Sequence, residues 1–131
     1  MLTVSELRSI SAALFEDAQA LYDSSHYDGV VYLCGYAVEL ALKARICETL
    51  NWNGYPATNR EFRDYQTFRT HDLKVLLRLS GHESRILEAV PDDWRAVSNW
   101  TPELRYRPPG SASRSAAATL LEHVRQVLES I

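Results

Sequence analysis

Residues 26–50 constrain the fold most, because they are apolar on more than one helical face: Tyr27, Val30, Val31, Leu33, Cys34, Ala37, Val38, Leu40, Ala41, Ile46 and Leu50. A helix at the surface needs one apolar stripe, whereas a helix apolar around most of its circumference is surrounded by others. The spacing therefore predicts a central helix over 26–50, ended by Asn51 to Gly54. Gly29 and Gly35 each cost about 1 kcal/mol relative to Ala in a helix interior. Small residues there let a neighbouring helix approach closely.

The flanking segments read as its partners. Over residues 3–23, Val4, Leu7, Ile10, Leu14, Ala18 and Leu21 recur at spacings of three and four and make one stripe. Thr3 and Ser5 are candidate N-caps, with Glu6 as a capping-box partner for Thr3. Residues 51–69 are polar and aromatic, and Phe62, Tyr65 and Phe68 would share a face of a short helix over 59–68. Thr70 is read as the cap of a helix through Leu79, with Leu73, Leu76 and Leu77 inward and Gly81 as its stop. Ile86, Leu87, Val90, Trp94, Val97 and Trp100 keep helical spacing over 83–100, where Pro91 either kinks one helix or opens a second. Pro102 and the Pro108-Pro109-Gly110 turn mark a connector. From Ser111 a last helix carries Ala117, Leu120, Leu121, Val124, Leu128 and Ile131. No β-type alternation and no repeat is visible. The expectation is an all-α fold, an antiparallel up-and-down bundle of about five helices. Apolar stripes on the second and last helices exceed one small core and point to homodimerisation.

A chain of 131 residues fits one domain, 1–131. A formal charge of -3 and a pI near 5.8 argue against a generally basic nucleic-acid binder, while leaving room for a local basic patch. No apolar run approaches the roughly 18 residues of a membrane span, and the first residues lack a signal peptide's basic start and apolar core. Membrane association is not expected, and a cytoplasmic location is. Cys34 and Cys47 lie thirteen positions apart in one predicted helix, roughly 20 Å by helical rise, too far for a disulfide. They form no zinc motif, and no metal site or cofactor is expected.

The order of these pieces resembles the HEPN family of small helical domains. Residues 27–46 resemble its second helix, with Glu39 and Lys43 four apart; Thr70-His71-Asp72-Leu73 resembles the opening of its third; and 94–106 resemble the stretch closing on an Arg-Tyr pair, here Arg105 and Tyr106. The resemblance implies an up-and-down bundle, often homodimeric. It further implies an involvement with nucleotide, RNA, or a nucleotidyltransferase-like or antitoxin partner protein, in toxin–antitoxin or defence settings. The family's ribonucleases use an Arg-x4-6-His motif across a dimer. None of His26, His71, His82 and His123 has an Arg at that spacing, so the chain resembles a non-nuclease member.

The polar residues that stand out each carry two readings. Glu39 and Lys43, one turn apart on an apolar helix, are either part of a polar pocket for a phosphate or a structural ion pair. His71 and Asp72 are read at the first turn of their helix, where Asp suits the helix dipole and His71 is either an acid/base group or a structural hydrogen-bonder. Glu39, His71, Arg105 and Tyr106 are expected to meet in one polar network. Arg105, Arg107 and Arg114 flank the Pro-Pro-Gly turn and, with Lys43 and Arg45, would form an anion site; the bland alternative is a solvated loop. Arg60, Arg63 and Arg69 among Phe62, Tyr65 and Phe68 fit base stacking, a covering of the bundle, or a subunit interface.

No phosphate loop, carboxylate pair or nucleophile elbow is present, so no catalytic residue is assigned. The leading expectation is a binding module for a partner protein, nucleotide or RNA, with Glu39, Lys43, His71, Arg105, Tyr106 and Arg107 as its polar site. The alternative is a divergent metal-independent ribonuclease built on His71, Arg105 and Tyr106.

Overall fold

A computed structural model describes residues 1–131 and is mainly helical, with seven α-helices and one two-residue β-ladder. Three helices are long: α1 (Val4–Asp23), α2 (Tyr27–Leu50) and α7 (Arg114–Ser130). Four short ones lie between: α3 (Asn59–Phe62), α4 (Leu73–Leu79), α5 (Glu83–Ala89) and α6 (Pro91–Val97). Three long helices carry the architecture, with the short ones filling one side.

Local chemistry starts and stops α1 and α2. Thr3 closes a full capping box with Glu6, which selects it over Ser5 as the cap of α1. Ser25, at φ 65, turns the chain back into α2. Asn51 ends α2 in the left-handed region at φ 56, a conformation Asn tolerates better than most residues. The two helices run antiparallel, since Arg8 meets Glu48, Ser11 meets Ala37 and Leu21 meets Gly29. At the crossing the buried Ser11 hydroxyl donates to the Ala37 carbonyl at 2.7 Å, so a polar side chain is satisfied inside the seam.

The last helix runs parallel to α2 and antiparallel to α1. Its start lies beside Asp28, and its end, Ile131, accepts from the Arg45 guanidinium near the far end of α2. Arg125 stacks on Phe15 of α1. The core is one cluster centred on α2, whose Val30, Cys34, Val38, Leu42, Ile46 and Cys47 are buried. α1, α4, α7 and the connector cover most of the apolar surface of α2, while Leu50 stays exposed. Both cysteines are free and buried, and burial pushes the Cys34 thiol up to about 12.

Elsewhere the structure corrects the sequence reading. Leu2–Thr3 (β1) pairs antiparallel with Gly54–Tyr55 (β2), a ladder too short to leave an alternating pattern. The segment 59–68 is not one helix: α3 stops at Phe62 and a separate 3-10 turn covers Gln66–Phe68. That break lets Phe62 and Phe68 both turn onto Tyr55, whose hydroxyl donates to the Phe68 carbonyl. Asp72, not Thr70, caps α4, accepting from the Lys74 and Val75 amides; Thr70 instead accepts from the Asp72 amide. His71 and Asp72 therefore precede the helix rather than form its first turn. Pro91 opens α6 at its first position, ending α5 before Val90. Trp100 lies beyond α6, in the connector that leads through a second 3-10 turn, Pro102–Tyr106, to Ser113, the cap of α7.

Candidate functional site

One edge of α2 is polar from Asp28 to Lys43. Asp28, Tyr32, Tyr36, Glu39 and Lys43 follow at spacings of three and four, so they align on one side of the helix. The connector 98–113 runs over this edge, and α4 begins beside it.

Glu39 is 2% exposed and is the only acidic residue so buried. One carboxylate oxygen pairs with Lys43 Nζ at 3.0 Å, and the other lies 2.8 Å from His71 Nδ1. Two partners on separate elements offset the desolvation that a lone buried carboxylate would suffer. The His71 ring is 58% exposed on its side-chain surface. With Nδ1 turned to Glu39, its Nε2 is the ring nitrogen left for a ligand or a proton transfer. His71 lines a cleft of 470 Å³ together with Asp72, Lys74, Asn99, Trp100 and Glu103.

The expected meeting of Glu39 with Arg105 and Tyr106 takes an indirect form. Arg105 donates to the Tyr106 hydroxyl at 3.0 Å and sits over its ring. Toward α2 its partner is Tyr32, which reaches the Tyr36 hydroxyl at 3.5 Å, and the Tyr36 ring meets His71 edge-on. Two tyrosines thus bridge the Glu39–His71 pair to Arg105. The neighbouring Tyr36 hydroxyl, then the Arg105 guanidinium, lowers the Tyr32 phenol, whereas the hydrogen bond shared with Tyr32, followed by burial, pushes Tyr36 up to about 12. Tyr106 is 74% exposed and stands outside any packed network.

Arg105 and Arg107 rim a second cleft of 460 Å³, whose α2 side is Asp28, Gly29, Val31 and Tyr32. Both guanidiniums belong to exposed residues. The other basic residues proposed to join them do not. Lys43 is taken by Glu39, Arg45 by Glu48 and the Ile131 carbonyl, and Arg114 by Tyr22. Lys43 and Arg45 also sit eleven and thirteen positions beyond Tyr32, roughly 17–20 Å along the helix.

Residues with no marked role in the sequence reading position this region. The Asp28 carboxylate accepts the Gly110 and Ala112 amides at 2.7 and 2.8 Å, which holds the carboxyl below the usual range and fastens the turn to α2. Trp100 lies flat over Gly35: a Cβ there would fall 1.9 Å from the indole, so glycine serves a ring rather than a helix neighbour. Tyr32 and Tyr36 were legible only through their helical register with Asp28 and Glu39. His123 on α7 pairs with Asp93 on α6 at 2.7 Å and ties those helices together away from the clefts. Phe62, Tyr65 and Phe68 join Trp52 and Tyr55 in an aromatic cluster at the other end of α2.

No group of three or more His, Cys, Asp or Glu side chains is arranged to hold a metal ion. No helix is long and apolar enough to cross a membrane. No family model, curated protein or solved structure matches the chain.

Proposed function

We propose that the chain is a HEPN-like, non-catalytic binding module that takes an anionic ligand, a nucleotide or an RNA phosphate, at the cleft between the connector and α2. The observation that carries this reading is the pair of exposed guanidiniums, Arg105 and Arg107, on the rim of a cleft with an aromatic ring, Tyr32, in its wall. Guanidinium forks bind phosphate oxygens bidentately and stay charged at every relevant pH. The likeness of 27–46, 70–73 and 94–106 to that family supports the same assignment, as it does a homodimer and a nucleotidyltransferase-like or antitoxin partner in the cytoplasm. The test is titration of labelled RNA or ATP into the protein. Binding should weaken about tenfold or more in Arg105→Ala/Arg107→Ala, with the melting temperature unchanged. Equal binding by the double variant would remove the reading.

A second reading rests on His71. Its Nδ1 is held by a buried carboxylate and its Nε2 is free, the arrangement a general base requires. A metal-independent ribonuclease would use that nitrogen to take the proton of a ribose 2′-hydroxyl as its oxygen bonds to phosphorus, and the imidazolium so formed would return a proton to the departing 5′-oxygen, with Arg105 offsetting phosphorane charge. Cleavage of total RNA by the purified protein, abolished in His71→Ala, would establish this reading over the first; an inert protein would leave the binding module.

A further inference from the structure

The cleft rimmed by Arg105 and Arg107 and the cleft that holds His71 share a wall. Leu104 and Arg105 line the first, Pro102 and Glu103 the second, so the Pro102–Tyr106 turn stands as a ridge between them. Glu103 and Arg105 are two residues apart, at most about 7 Å. A ligand that crosses the ridge can therefore occupy both clefts.

The charge left unmet on the two sides is positive. The second cleft has two exposed cations of its own, Arg69 and Lys74. None of Arg69, Lys74, Arg105 and Arg107 is paired with a carboxylate. The acidic residues beside them are already engaged. Asp28 accepts two amides of the connector, and Asp72 accepts two amides of α4. The Thr101 hydroxyl, then the Glu103 amide, holds the Glu103 carboxyl below the usual carboxylate range.

His71 shares the second cleft with Arg69 and Lys74. Its Nδ1 faces a Glu39 carboxylate oxygen at 2.8 Å, so Nδ1 carries the hydrogen and Nε2 presents a lone pair. Phosphates satisfy the cations, but only a hydroxyl or amine donor satisfies that lone pair. A free nucleoside 5′-phosphate carries phosphate on one side of its ribose, whereas a nucleotide inside a strand carries it on both. Two groups of cations with an acceptor beside one of them fit the second pattern. The acceptor fits the 2′-hydroxyl, the group by which a protein tells RNA from DNA. The exposed Tyr106 ring ends the ridge and offers a stacking surface to an unpaired base.

We propose that a single strand of RNA crosses the Pro102–Tyr106 ridge, with one phosphate on Arg105 and Arg107, the next on Lys74 and Arg69, and the 2′-hydroxyl of the intervening ribose donating to His71 Nε2. His71 is then the residue that selects ribose over deoxyribose. The inference rests on the anion-site reading above and gives that site its substrate class.

Fluorescence anisotropy with short labelled strands of oligouridine and oligodeoxyuridine, which differ only at the 2′ position, provides the test. The wild type should bind the ribose strand about tenfold more tightly. His71→Ala should bring oligouridine down to the level of oligodeoxyuridine and leave the latter unchanged, with unaltered helical circular dichroism. Lys74→Ala should flatten the dependence of log Kd on log salt by about 0.7, the share of one single-strand phosphate. Uridine 3′,5′-bisphosphate should displace the labelled strand about tenfold better than uridine 5′-monophosphate. Three results would each overturn the inference: equal binding of the two strands, a ribose preference that survives in His71→Ala, or equal competition by the two nucleotides. With Arg105→Ala/Arg107→Ala still weakened, the anion site would outlive that failure. Binding of both strands by that double variant as well as by the wild type would instead remove the anion site, and the inference with it.

Discussion

The middle of α2 and the connector that crosses it lie against each other, yet different physics holds them. Val30, Cys34, Val38, Leu42 and Ile46 are buried in a continuous core, where position follows from apolar area and helical repeat. Between Arg105 and Ser111 the connector buries no residue. It is placed instead by a few directed contacts from α2: Gly35 beneath Trp100, Tyr32 beside Arg105, and Asp28 on two amides. Removing one contact from the core, Trp100 included, should weaken the whole molecule, whereas removing a polar contact of the connector beyond Trp100 should loosen only the connector. A segment so held is free to carry exposed, charged chemistry.

The sharpest way to break this comparison is at Gly35, where the two regions touch. Gly35→Ala gains helix propensity worth about 1 kcal/mol, yet its methyl displaces the Trp100 ring. Urea unfolding should show a net loss of about 3 kcal/mol, in the range of a lost buried aromatic. A neutral or stabilising result would mean the indole is not seated there.

Glu39→Ala is next. It strips a buried partner from Lys43, itself 13% exposed on its side chain, and should cost about 2–3 kcal/mol. His71→Ala should cost under about 1 kcal/mol, because that ring is mostly in solvent. Equal losses for the two would contradict the buried-carboxylate geometry.

Asp28→Ala should leave global unfolding nearly unchanged while accelerating amide exchange at Gly110 and Ala112 about tenfold. If the variant unfolds cooperatively at much lower urea, the connector belongs to the core after all. The smallest effect concerns pH. The Asp28 carboxyl is held below its unfolded value, which is about 3.9, by the amides it accepts. The clamp is therefore fully present above that value and is lost as pH falls through the lower folded value. The Gly110 amide resonance should titrate with a midpoint below about 3.9 and stay flat from pH 5 to 8.

What was legible in the sequence follows the same division. Thr3 with Glu6 and Pro91 at a helix start are local signals that each match one of the two alternatives read, and the stripe of α7 is present in a helix that begins at Arg114 rather than Ser111. The Glu39–Lys43 pair and the approach of His71 were readable because a carboxylate in an apolar helix demands partners. Asp28 was not readable: its two amides lie 82 and 84 residues away, and nothing local marks the pairing. Trp100 kept helical spacing with Val97 and was assigned to a helix that ends at Val97, because periodicity cannot register where a chain turns. Arg105 and Tyr106 were expected on Glu39; Tyr32 and Tyr36 occupy the space between.

The parallel course of α2 and α7 has an electrical consequence. Peptide dipoles of neighbouring helices usually cancel, but here two of the three long helices add, and only α1 opposes them. Their positive ends gather where Arg105 and Arg107 stand, and their negative ends gather where the Arg45 guanidinium meets the last carbonyl of α7. The helix backbones therefore contribute a dipole along the α2–α7 direction that the net charge of -3 does not reveal. A negatively charged body drifting toward it in dilute salt would be turned to meet one pole first.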